Sequence, residues 1–308
     1  MKIEHMNQLI LIDNNNNDFF PSEIENCKIK LIYNTNGKWN RIFRKILFSI
    51  HFPITHFFYT DWKRDADEAD IIILFDTGNA KYILSYLKKH FPKATIILWY
   101  WNSVSNSVNP QKIAKKDIEI WSFDPADCQK YKMFYNNQFF IMENKPVLNF
   151  TKYNRDVFYI GVDKNRGKLL SDLKKIFDEQ NISYFFNLVQ YKNASNKSEI
   201  PYQPSLNYKE VLNYISGSKA IIDLVIEEQT GLTLRPVEAL FLRKKLITNM
   251  QNIIHYDLYN PQNIFILGYD SIGDLRNFID SEYDASNNEQ LQKKYSFQGW
   301  LSHFRKQI

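Results

Sequence analysis

Ala220-Ile221-Ile222-Asp223-Leu224-Val225-Ile226-Glu227-Glu228-Gln229-Thr230-Gly231-Leu232-Thr233-Leu234-Arg235-Pro236-Val237-Glu238-Ala239-Leu240 is the stretch that decides the fold. Its first seven residues are almost continuously apolar, as in a strand buried on both faces of a parallel sheet. A polar turn with one glycine follows, and then a helical pattern carrying Arg235 and Glu238. A strand, a Thr-Gly turn and a helix start present backbone N–H groups that can hold a phosphate. Glu238, one turn into the helix, can accept hydrogen bonds from a ribose or sugar diol. The structural alternative is that strand–turn–helix units and Thr-Gly turns occur in any α/β protein.

Outward from this unit the same grammar repeats. Asp156 to Gly161 reads as a strand, the helix from Lys168 to Gln180 has Leu169, Leu170, Leu173, Ile176 and Phe177 on one face, and Ser183 to Val189 reads as a strand. Tyr208 to Ser216 is helical; Lys245 to Asn249 and Asn263 to Gly268 read as further strands. In the first half, Gln8 to Ile12, Lys28 to Tyr33, Ile71 to Phe75, Thr95 to Trp101 and Ile118 to Phe123 read as strands, with a helix from about Lys81 to His90 that Pro92 prevents from continuing. Strands separated by helices imply βαβ units and parallel sheets. The linker Glu143 to Arg155 divides the chain into domains 1–150 and 151–308, with a cleft expected between two Rossmann-like α/β halves. Trp300 lies in a helical tail, Tyr295 to Phe304, expected to pack back on the first domain.

Composition narrows the class. At 308 residues, 44% apolar and 24% charged, the chain can bury two cores. Its 16% aromatic content suits sugar-binding surfaces and plain packing alike. A net charge of +5 is a mild basic bias, compatible with an anionic ligand or membrane face and without a nucleic-acid recognition motif. Two distant cysteines, Cys27 and Cys128, indicate neither a disulfide framework nor a metal site, so a reducing cytoplasm is the expected compartment. No signal peptide is seen, and no apolar run approaches the ~20 residues of a membrane span.

Tyr159-Ile160-Gly161 with Arg166, Gln229 to Arg235, Glu238-Ala239-Leu240 and Lys244 to Asn249 together resemble the donor-binding domain of GT-B glycosyltransferases. The similarity is to the bacterial enzymes that build capsule, lipopolysaccharide and other surface glycans, and it covers roughly residues 156 to 300. It implies GT-B architecture and transfer of a sugar from a nucleotide-sugar donor to a glycan or lipid-linked saccharide acceptor. It also implies donor binding by Gly161, Arg166, Thr230, Gly231, Leu232, Thr233, Arg235 and Glu238. Many retaining members carry two glutamates eight positions apart. Here the position eight before Glu238 is Thr230, so the stereochemical course and the donor stay open.

Each residue has a role and a plainer alternative. Glu238 would hold the ribose hydroxyls, or serve as a carboxylate placed where the helix dipole favours it. Arg235 and Arg166 would neutralise the diphosphate of the departing nucleotide, or be surface charge. With arginines and N–H groups in that role no metal or other cofactor is required; Asp65-Ala66-Asp67 reads as a solvated helical stretch. A catalytic base is expected at a strand end of the first half: Asp76 first, then Asp13, with Asp124 third. Each could instead cap a turn or helix. The Trp99-Tyr100-Trp101 run could offer an aromatic sugar platform. Residues 38–63 carry Trp39, Phe43, Ile46, Leu47 and Ile50 on one helical face, an expected docking surface for an anionic membrane or a stripe packed on the sheet. The competing functions are a nucleotide-sugar epimerase or hydrolase, and a non-catalytic glycan- or nucleotide-binding protein.

Overall fold

A computed structural model describes residues 6–13, 19–21, 23–24, 27–34, 58–113, 116–141, 154–191, 198–226 and 229–305. The chain divides into two compact α/β units, 1–136 and 137–308. The expected break at residue 150 lies outside the described residues; by compactness the second unit also takes in residues 137–141.

In the first unit the strands are β1 (Gln8–Ile12), β2 (Glu23–Ile24), β3 (Cys27–Leu31), β4 (Ile71–Phe75), β5 (Thr95–Tyr100), β6 (Glu119–Ser122) and β7 (Phe134–Tyr135). They form one sheet in the order β2-β3-β1-β4-β5-β6-β7, parallel except for β2. Every residue of β1 and β4 is buried, which is why both read as unbroken apolar runs. β3, nearer the edge, buries Cys27 and Ile29 and leaves its lysines half out, giving the period of two. The helix Ala80–His90 covers one face with Ile83, Leu84 and Leu87. Trp62 opens the helix Trp62–Asp67, wholly buried, and its indole N–H donates to the Ile32 carbonyl at 3.1 Å. Asp65 corrects one expectation: it is not solvated but only 15% exposed, bridging Lys28 at 2.7 Å and Lys30 at 3.4 Å, and these cations hold its carboxyl below the usual range against burial.

The second unit contains β8 (Arg155–Val162), β9 (Tyr184–Val189), β10 (Ser218–Asp223), β11 (Lys245–Thr248) and β12 (Ile264–Ile266), all parallel, in the order β12-β11-β10-β8-β9. The helix Gly167–Glu179 buries Leu170, Leu173 and Phe177 at the expected spacing. Asn207 and Glu210 form a capping box at the start of the helix Tyr208–Ser216. Helices Asn288–Tyr295 and Phe297–Arg305 close the unit. Trp300 meets Phe139 at 4.4 Å between ring centroids, and Phe140 stacks on Phe241 at 4.7 Å. Phe140 also exchanges backbone bonds with Tyr295 and Phe297, both 2.9 Å.

Both units are therefore Rossmann-like. In the first, β1 lies between β3 and β4; in the second, β8 lies between β9, which follows it, and β10. The chain reverses its direction of travel across the sheet between β1 and β4, and again between β8 and β10. Open α/β sheets bind ligands outside the carboxyl ends of the strands at such reversals. No helix among the described residues is long and apolar enough to cross a membrane. Residues 38–57 of the expected membrane-docking stretch and the Asn14 to Asn17 tract lie outside those described.

Candidate functional site

At the reversal of the second sheet, β8 delivers Gly161 and the turn after it, and β10 delivers Asp223. Gly161 leaves room for the Tyr159 hydroxyl: a Cβ there would stand 2.5 Å from it, so any larger residue would have to displace the ring. Asp163 accepts from the Gly167 N–H at 3.1 Å and the Tyr202 hydroxyl at 2.8 Å, so the start of the helix Gly167–Glu179 already has its own carboxylate. Arg166 stands at that helix start and donates through Nη1 to the Val162 carbonyl at 3.1 Å.

The helix Leu234–Leu242 begins at Thr233, whose hydroxyl oxygen accepts from the Arg235 N–H at 3.2 Å. From Pro236 to Leu242 every side chain is buried, Glu238 among them with no exposed surface. The Glu238 Oε2 accepts from Arg235. Burial pushes the Glu238 carboxyl up, while Arg235 and Tyr208 pull it back. Tyr208 lies close enough to be pushed well up itself, by burial and then by the Glu238 charge, yet no donor is aligned on Glu238 Oε1.

Asp223 is the residue that the sequence reading passed over as part of an apolar strand. It is buried, and burial pushes its carboxyl up to about 6 against a Thr233 hydrogen bond and the charges of Arg235 and Arg166. Tyr159, pushed to about 12 by burial, feels Arg166, Asp223, Arg235 and Asp163. Charged and polar groups from β8, β10 and two helix starts thus converge at one sheet edge. Four of their buried atoms have no hydrogen-bond partner: Asp223 Oδ2, Glu238 Oε1, Arg166 Nε and the Tyr159 hydroxyl. Leaving such an atom unpaired costs roughly 1–3 kcal/mol. Two are carboxylate acceptors and one a guanidinium donor, a set that answers hydroxyls and anionic oxygens together.

The loop before this helix is held from behind. Thr230, half-buried, offers its carbonyl to Asn252 Nδ2 at 3.0 Å and Tyr256 Oη at 2.8 Å. Gly231 accepts from Gln229 Nε2 at 3.0 Å, and Leu232 is buried. Glu227 and Glu228 lie outside the described residues.

In the first unit, Asp13 and Asp76 meet at the β1/β4 reversal. The Thr77 hydroxyl, next to Asp76, donates to Asp13 Oδ2 at 3.0 Å. Asp76 accepts from the Trp101 N–H at 2.7 Å on Oδ1 and from the Ser107 hydroxyl at 2.6 Å on Oδ2. Burial raises the Asp76 carboxyl and these donors lower it again, leaving it above the usual value. Asp124 sits apart at the end of β6 and caps the helix Pro125–Tyr131, accepting from Ala126 at 2.9 Å and Asp127 at 3.3 Å. Of the aromatic run, Trp99 and Tyr100 are core, while Trp101 is half-buried against Phe19 and Phe75. Among the described residues no group of three or more His, Cys, Asp or Glu could hold a metal ion.

No family model matches the chain, and no curated protein matches its sequence. Solved structures similar to it include the Glycosylation Associate Protein (Gap123) complex from Streptococcus agalactiae, at 13% identity and a TM-score of 0.44, covering 81% of this chain and 57% of that one. An alpha1,3-fucosyltransferase with GDP is similar at 9% identity and a TM-score of 0.44, covering 97% and 89%. A UDP-GlcNAc 2-epimerase from Neisseria meningitidis bound to UDP-GlcNAc is similar at 10% identity and a TM-score of 0.43, covering 93% and 98%. This chain spans little more than half the length of the first of these. At such TM-scores the similarities carry no argument about activity.

Proposed function

We propose that the chain is a glycosyltransferase of the GT-B class, transferring a sugar from a nucleotide-sugar donor to a hydroxyl of a bacterial surface glycan or lipid-linked saccharide. The observation that carries the reading is the set of orphaned polar atoms at the β8/β10 reversal, acceptors and a guanidinium donor side by side. A nucleoside diphosphate presents hydroxyls and anionic oxygens close together, and so matches that set. Arg235, one-fifth exposed, would swing from Glu238 to the diphosphate. The carboxylate it leaves would accept from the ribose hydroxyls, with Arg166 and the Thr230–Thr233 loop supplying further donors. Positive groups fixed around the leaving diphosphate stabilise the charge that develops as the glycosidic bond breaks. Asp76, held by donors from Trp101, Ser107 and Asn102 and raised by burial above the ordinary carboxylate range, is the proposed base for the acceptor hydroxyl, with Asp13 beside it.

Thermal shift with nucleoside diphosphates and their sugar conjugates tests this on wild type and Glu238→Ala. A ligand at about 100 times its Kd adds roughly 2.7 kcal/mol, a rise expected for wild type and lost in the variant. If a well-folded wild type gains nothing from any nucleotide, the reading fails. Donor turnover without added acceptor would favour an epimerase or hydrolase instead.

A further inference from the structure

We infer that Tyr256 and Asn252 are positioning residues of the donor site, orienting the Thr230–Thr233 loop without touching the ligand. The inference rests on the donor reading above and adds residues from a separate part of the chain. Both belong to the segment after β11, where a 3-10 turn, Gln251–His255, runs behind the loop. Their side chains converge on one atom, the Thr230 carbonyl oxygen, at 2.8 and 3.0 Å. The same segment grips the other end of the connection. Asn249 accepts from the Val225 N–H at 2.8 Å and donates to the Val225 carbonyl at 3.0 Å.

A carbonyl has two lone pairs. With both engaged from one side, the planar peptide joining Thr230 to Gly231 cannot turn about its flanking bonds without breaking two hydrogen bonds. Anchoring the Thr230 oxygen on the 252–256 side therefore fixes the plane of the Thr230–Gly231 peptide before any ligand arrives. The Gln229 side chain fixes the next peptide through the Gly231 carbonyl. A loop oriented before the ligand arrives does not lose that freedom on binding, and the saving appears as affinity. Both side-chain bonds end on a loop carbonyl and belong to no strand ladder or helix, so their loss is expected to fall on binding more than on folding.

The test is calorimetric titration of the full chain with UDP, GDP, ADP and dTDP and with the corresponding monophosphates, for wild type, Tyr256→Phe, Asn252→Ser and the double variant. The expected result is a roughly three- to tenfold weaker Kd for each single variant. The double variant should be weaker by about 30-fold or more, with melting temperature nearly unchanged. The loss should be larger for the diphosphate than for its monophosphate, a difference that a general weakening of the fold would not produce. If wild type binds a diphosphate and the variants bind it equally well, the positioning role is overturned while the donor site stands. An equal loss for mono- and diphosphate also overturns it. If wild type binds none of the nucleotides, the donor reading itself falls and takes this inference with it. Should Tyr256→Phe fail to fold, Asn252→Ser carries the same comparison.

Discussion

Asp223 shows how much a single carboxyl can say. It was visible in the sequence only as the one charge in Ala220 to Ile226, a position easily read as strand. What periodicity cannot reveal is that the strand end lies beside β8, so that Asp223 comes under Arg166, Arg235 and Glu238. Its folded pKa, about 6, lies above the ordinary aspartate value. The stability tied to this raised pKa is fully present below the unfolded pKa and is lost as pH rises through about 6. Asp223→Asn removes the titration. Between pH 4 and 7 the variant is expected to lose less stability than wild type, by up to about 3 kcal/mol. Denaturant midpoints for the two proteins at each pH check this; parallel curves would count against it. Asp76 is the second residue-scale case. With its carboxyl raised, the acid limb of kcat is expected above the usual carboxylate range, and Asp76→Asn should lower kcat at least about 100-fold while leaving diphosphate Kd unchanged. A Kd change equal to the kcat change would instead mark Asp76 as the anchor of the Trp101–Ser107 loop.

At the scale of elements, the sequence read well where burial is one-sided and poorly where neighbours decide. The helix Tyr208–Ser216 and the strands β4 and β8 follow from apolar spacing and stand within a residue or two of expectation. Asp65 and Asp67 looked alike in sequence, yet Lys28 and Lys30 reach Asp65 from β3, a contact 37 residues away in the case of Lys28. Glu238 was legible as a candidate, but its complete burial and its bond to Arg235 were not. They arise because the helix Leu234–Leu242 is covered on all sides, which an amphipathic pattern does not announce. Two predictions belong here. Gly167→Ala sets a methyl 2.5 Å from the Ser198 hydroxyl oxygen and 2.7 Å from its Cβ. It should destabilise the second unit by roughly 1–3 kcal/mol in denaturant melts. Phe140→Ala removes a wholly buried ring stacked on Phe241 and is expected to cost about 3–5 kcal/mol by the same measurement.

For the molecule as a whole, the division into two α/β halves was readable because the βα grammar stops and restarts around a polar linker. The strand order was not, since nothing local states which side of a first strand a later one joins. That order puts Asp13 beside Asp76 and Arg166 beside Asp223. All proposed donor residues, with Asn252 and Tyr256, fall within 137–308, a unit with its own core. A chain carrying only 137–308 is therefore expected to melt cooperatively and to bind the same nucleoside diphosphate as the full chain, within about tenfold in Kd. Loss of binding in a folded fragment would show that the first unit contributes to the donor site.

The bond exchange between Phe140 and the Tyr295–Phe297 turn has a consequence for engineering. Residues from the beginning and the end of the second unit lie side by side, stitched by two hydrogen bonds. A module whose first and last elements touch can be rewired: joining residue 305 to residue 137 through a flexible tether long enough to run back along the helix Phe297–Arg305, and cutting at an exposed turn such as Gly268–Asp270, should yield a circular permutant with the same topology in space. By the same adjacency, the module could be spliced into a loop of an unrelated host while keeping the groups gathered at the β8/β10 reversal.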